Sequence, residues 1–69
     1  MTTINKLEQA LAGTKGLSAQ FKTFSMDTDD QQAKQMFNQL ATTLENAAQT
    51  LEGRVDFVKN EEPQYNQQQ

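Results

Sequence analysis

Apolar residues fall at Ile4, Leu7, Leu11, Leu17, Phe21 and Phe24, with Thr14 standing where the stripe asks for another. Steps of three and four place them on one face of a helix. Thr2 or Thr3 is suited to cap its start. Gly13 and Gly16 lie inside it, at a cost of about 1 kcal/mol each relative to Ala. The pattern then breaks at Met26-Asp27-Thr28-Asp29-Asp30, residues that favour turns and N-caps. Thr28 with Gln31 has the spacing of a capping box.

A second, longer helix follows. One seam runs through Ala33, Phe37, Leu40, Leu44, Ala47, Leu51 and Val58, and another through Phe37, Ala41, Leu44, Ala48, Leu51, Val55 and Val58. The two share Phe37, Leu44, Leu51 and Val58, so the apolar face is wider than a two-stranded coiled coil requires. This helix is therefore expected to touch more than one neighbour. Pro63 marks its end, because the residue before a proline is pushed away from helical angles. Residues 63–69 offer one ring, Tyr65, among polar residues and read as a flexible Gln-rich tail.

Folding back at Thr28 sets Phe24 beside Ala33, Phe21 beside Phe37, Leu17 beside Leu40, Thr14 beside Leu44, Leu11 beside Ala47, Leu7 beside Leu51 and Ile4 beside Val55. The sum of the two position numbers stays between 57 and 59 over all seven pairs, an agreement that neither helix imposes alone. Val58 then pairs beyond Met1, so the second helix overhangs the first. The expected fold is all-α: an antiparallel helical hairpin of about 3–26 and 29–62, forming one domain over 1–62. Its core residues are read as Leu7, Leu11, Leu17, Phe21, Phe24, Phe37, Leu40, Leu44, Leu51, Val55 and Val58. Two such hairpins are expected to dimerise into a four-helix bundle, which would cover the wide apolar face.

Composition sharpens the picture. The chain has 69 residues, no Cys and no His, so neither a disulfide nor the usual structural zinc site can support a small core. A homodimer is the remaining route to burial. The same absences remove the thiol nucleophile, the commonest general base and the Glu-x-x-His di-iron motif. No enzyme activity and no cofactor are expected. A net charge of −3 argues against nucleic acid or an anionic membrane surface as a direct partner. Apolar runs reach only about three residues, as at Ala10-Leu11-Ala12, so no membrane-inserting segment is read and a cytoplasmic location is expected.

Few residues carry candidate chemistry. Asp27, Asp29 and Asp30 offer carboxylates to a hard cation, but Gln32 and Asn38 stand where a calcium loop needs Gly and a bidentate Glu. Capping the positive end of the second helix is the simpler role for these acids. Gly13 and Gly16, with Ala10, Ala12 and Ala19, form a low-relief surface for close approach, by a partner or by the chain's own dimer mate. Both uses predict intolerance to large side chains. Lys15, Lys22 and Glu8 read as a solvated face, because a nucleic-acid footprint needs clustered positive charge. Glu61-Glu62-Pro63-Gln64-Tyr65 is the least generic stretch. It either just stops a helix or serves as a docking peptide with Tyr65 as anchor, making Glu61, Glu62, Pro63 and Tyr65 the candidate docking residues.

Leu17 to Phe24, Ala33-Lys34-Gln35-Met36-Phe37, Leu51-Glu52 with Arg54-Val55, and above all Glu61 to Tyr65 resemble a family of small proteins from spore-forming Firmicutes, catalogued as domain of unknown function sixteen-fifty-seven. The similarity spans nearly the whole chain except its Gln-rich end. Gly53 departs from it, where a better helix former would be expected. The resemblance implies context rather than chemistry, because such proteins are encoded near SpoVA-type spore membrane channel components, or near or fused to a membrane-protein family. It points to a forespore or spore-core protein, peripheral to the inner membrane, that acts as an accessory of a membrane-protein complex in spore permeability, germination or heat resistance. The alternative is a small-molecule or metal-binding bundle using carboxylates. Against it, Glu8, Glu45 and Glu52 do not converge inward in the helical register.

Overall fold

A computed structural model describes residues 2–61. It contains two helices, α1 (Thr2–Asp27) and α2 (Gln31–Glu61), packed against each other as an antiparallel hairpin. The folded unit measures 51 × 16 × 12 Å, so it is a single layer of helices in its thinnest direction.

A strict alternation of three and four residues joins the two helices. The seam of α1 runs through Ile4, Leu7, Leu11, Thr14, Ser18, Phe21 and Ser25, and that of α2 through Phe37, Ala41, Leu44, Ala48, Leu51, Val55 and Val58. This is the a/d spacing of an antiparallel coiled coil. Ile4, Ser18, Ser25, Ala41, Ala48 and Val55 are buried. Leu7, Leu11, Phe21, Phe37, Leu44, Leu51 and Val58 are half-buried.

Three residues read as core stand off this seam. Leu17, Phe24 and Leu40 are 41%, 44% and 39% exposed. Each is displaced by one position, and Ser18, Ser25 and Ala41 take the inward places. The reason is spacing. From Leu11 the alternation passes through Thr14 to Ser18, whereas Leu17, one residue short of Ser18, points more than a quarter of a turn away from the seam, at about 100° per residue. Small side chains at Ser18 and Ala41 let the backbones approach closely enough for the Ser18 hydroxyl to donate to the Ala41 carbonyl at 3.2 Å. Thr14 fits the seam because its hydroxyl donates to the Ala10 carbonyl at 2.7 Å within its own helix.

The turn is held by polar contacts. The Thr28 amide still bonds the Phe24 carbonyl at 3.1 Å, and the Lys34 amide bonds the Asp30 carbonyl at 2.9 Å, opening α2. The Gln32 amide donates to the Asp30 carboxylate at 3.0 Å, so Asp30 is the N-cap. The helix thus begins at Gln31 rather than near residue 29, and the expected Thr28–Gln31 capping box does not form. Instead the Thr28 hydroxyl accepts from the Asp30 amide at 3.3 Å. Lys34 reaches across the turn and donates to the Ser25 carbonyl at 2.9 Å, satisfying an orphan acceptor in the last turn of α1.

Candidate functional site

A hairpin one layer thick presents two broad faces, and here they differ in kind. On one, Glu8 pairs with Lys59 at 2.9 Å, Lys15 with Glu52 at 3.8 Å, and Lys22 with Glu45. The members recur every seven residues on each helix and run in opposite order, which gives the e–e′ pairing of an antiparallel coiled coil. Lys15, Lys22 and Glu8 therefore bridge to α2 rather than simply face solvent. Their side chains remain about half exposed, so solvent screens the pairs and they serve chiefly to set register. The hydrogen bond and attraction from Glu8 raise the Lys59 ammonium above its ordinary pKa of 10.5.

Between these pairs lies a shallow groove lined by Lys15, Ser18, Ala19, Lys22, Glu45 and Ala48. It exists because the seam is built there from Ser and Ala. Glu8, Glu45 and Glu52 each pair with a lysine of the other helix. Among the described residues no group of three acidic side chains could hold a metal ion. At the turn, Asp30 commits its carboxylate to the cap.

The opposite face is apolar. One position off the seam, Ala10, Leu17 and Phe24 of α1 lie alongside Ala47, Leu40 and Ala33 of α2, in the g–g′ places of the same register. All are exposed except Ala33, which is half-buried. Met36, 48% exposed, adjoins Leu40 one helical turn away. Towards the turn, Phe24 packs on Phe21 and Phe37 with ring centroids 6.4 and 5.6 Å away, and Phe21 and Phe37 are 5.7 Å apart. At the other end the Arg54 guanidinium lies 4.9 Å over the Phe57 ring. The second seam read for α2, through Ala33, Leu40 and Ala47, is thus present as a surface.

The glycines do not mediate close approach within the hairpin. A Cβ added at Gly13, Gly16 or Gly53 would meet nothing within 4 Å. The expected intolerance to larger side chains therefore does not arise from contacts inside the chain. Of the candidate docking residues, Glu61 closes α2, while Glu62, Pro63 and Tyr65 lie outside the described residues.

Sequence reasoning missed the ion-pair ladder. The signal was present in the seven-residue recurrence of Glu8, Lys15 and Lys22 against Glu45, Glu52 and Lys59, with signs that match only in antiparallel order.

Seam, ladder and apolar face together define a two-stranded antiparallel helical hairpin with one surface chemically distinct from the other. The chain belongs to the family described as protein of unknown function DUF1657, whose model matches residues 7–55. That span covers the seam from Leu7 to Val55. No curated protein and no solved structure matches the chain. No described helix is long and apolar enough to cross a membrane.

Proposed function

We propose that this chain is a non-enzymatic interaction module whose hairpins pair into a four-helix bundle. We further propose that it serves as an accessory of a spore membrane system, affecting permeability, germination or heat resistance. The observation that carries the module reading is the apolar face. Leu17, Phe24, Leu40 and Met36 stay between 39% and 48% exposed while the buried apolar core of the described hairpin is Ile4, Ala41, Ala48 and Val55. A single hairpin with so thin a core gains most from a second layer of helices. The spore context rests on the resemblance alone, whereas the assignment of Glu61, Glu62, Pro63 and Tyr65 as a docking peptide rests on the sequence, with Tyr65 as the anchor ring.

Co-purification from sporulating cells, with mass spectrometry of the bound proteins, tests the accessory role. Membrane-complex subunits are expected among them, and recovery of none would end that reading. A double variant, Glu62→Ala with Tyr65→Ala, separates docking from folding. Its melting temperature should change little, because positions near chain ends usually contribute little to stability. Recovery of the partner should fall, since an anchor ring at an interface is commonly worth about 2 kcal/mol or more. A sharply lowered melt with undiminished recovery per folded molecule would assign the motif to structure.

A further inference from the structure

The ladder Glu8–Lys59, Lys15–Glu52 and Lys22–Glu45 covers one broad face, leaving the opposite face free for a second layer. We infer that its occupant is a second copy of this chain, laid face to face with the turns at opposite ends. The inference rests on the four-helix-bundle reading and deepens it by naming the surface and the orientation.

Two identical ribbons can meet face to face about a two-fold axis in only two ways. With the turns at the same end, each helix stacks on the other helix of the second copy. With the turns at opposite ends, α1 stacks on α1 and α2 on α2, both antiparallel. Charge selects the second arrangement. At the turn end Asp27, Asp29 and Asp30 outnumber Lys34, whose ammonium is turned to the Ser25 carbonyl, whereas at the other end Lys6 and Arg54 flank the apolar strip. Same-end packing would bring the acids of both copies together. Opposite-end packing sets each acidic end against a basic one.

The spacing agrees. Taking Leu17 as the centre, Lys6 lies eleven residues before it and Asp27 ten after it. At about 1.5 Å per residue these are roughly 16 and 15 Å from the axis, so Lys6 of one copy meets Asp27 of the other. Phe24 and Ala10 are each seven residues from Leu17, so the largest side chain of the strip meets one of the smallest. Ala33 and Ala47 are likewise equidistant from Leu40, and Leu17 and Leu40 meet their own counterparts near the axis.

Because the chain has no cysteine, engineered thiols report on this geometry without background. The full chain is first tested for dimer formation by sedimentation equilibrium. Single variants Leu17→Cys, Leu40→Cys and Lys15→Cys are then treated with a short bis-maleimide. So is a mixture of separately prepared Lys6→Cys and Asp27→Cys chains, which leaves Leu17 in place. Rapid cross-linking of Leu17→Cys to itself and of the Lys6/Asp27 mixture, but not of Lys15→Cys, is the expected result. If the dimer forms but cross-links only in a mixture of Leu17→Cys and Leu40→Cys chains, the bundle reading stands and the orientation is overturned. If the dimer forms and Lys15→Cys cross-links to itself instead, the bundle stands and the face is wrong. A monomer at every concentration overturns the bundle reading and this inference with it.

Discussion

Replacing Ser18 with leucine gives the sharpest test of the seam. Ser18 is 3% exposed and its hydroxyl donates to the Ala41 carbonyl at 3.2 Å, so a branched side chain there must push the two backbones apart or turn out into the shallow groove beside it. Forcing extra carbon atoms into a packed site costs typically 1–3 kcal/mol. The lost hydrogen bond adds about 1 kcal/mol, and the greater apolar burial of leucine offsets part of the sum. A net loss of about 2–3 kcal/mol is expected from Ser18→Leu. Separation of the helices at this level would also strain Lys15–Glu52 and Lys22–Glu45, which flank it. Ser18→Ala is the control. It deletes the hydrogen bond without leaving an orphan, because Ala41 lies within α2 and its carbonyl keeps a helical partner. With alanine's better helix propensity, worth about 0.5 kcal/mol, the change should stay within about 1 kcal/mol. Urea denaturation followed by circular dichroism, at one fixed protein concentration, measures both. A Ser18→Leu chain as stable as the parent, or more so, would show that the seam does not pass through residue 18, and the register drawn from it would fall.

Three further outcomes are expected. Leu44 is half-buried, so Leu44→Ala should cost about 1–2.5 kcal/mol, roughly half the range for a fully buried leucine, and a loss under about 0.5 kcal/mol by denaturation would remove Leu44 from the seam. Gly16→Ala should raise stability by about 0.5–1 kcal/mol, since the added Cβ meets nothing within 4 Å, and a lowered melting temperature would reveal a contact on that surface. Glu8 raises the Lys59 pKa in the folded chain above 10.5, so this pair's stabilisation is complete below the unfolded value and is lost as pH rises through the folded one. Lys59→Met should therefore flatten part of the alkaline decline in denaturation midpoint, and an unchanged alkaline arm would refute the pairing.

The hairpin was legible because two independent apolar patterns meet at one offset and Met26 to Asp30 interrupts both. The inward choice between Leu17 and Ser18 was not. Hydrophobicity favours leucine, and the closeness of two backbones, which excludes it, depends on Ala41 in the other helix. The same close approach displaced Leu40, which precedes Ala41 in the chain. Start signals erred by two residues at α2 because Thr28, Asp29 and Asp30 are all competent caps, and only the hydrogen bonds select Asp30. Lys34 gives no hint in sequence that it will bind the Ser25 carbonyl, since that acceptor is released only where α1 ends. The apolar face was legible in α2 as its second seam. In α1 the counterpart, Leu17 and Phe24, was merged into the core.

The Phe21, Phe24 and Phe37 cluster sits beside the turn, and this has a kinetic consequence. Bringing Phe21 to Phe37 closes a loop of sixteen residues, whereas bringing Ile4 to Val55 directly would close one of fifty-one, costing about 1 kcal/mol more in chain entropy. The aromatic contacts nearest the turn thus form with the smallest entropic penalty and the largest apolar reward. Pairing then zips outward, each later contact inheriting a register already fixed by its predecessor, so the misregistered hairpins open to a seven-residue repeat are disfavoured before they lengthen. Opening runs the other way, from the two chain ends towards the rings, which makes the turn end the last part of the hairpin to come apart.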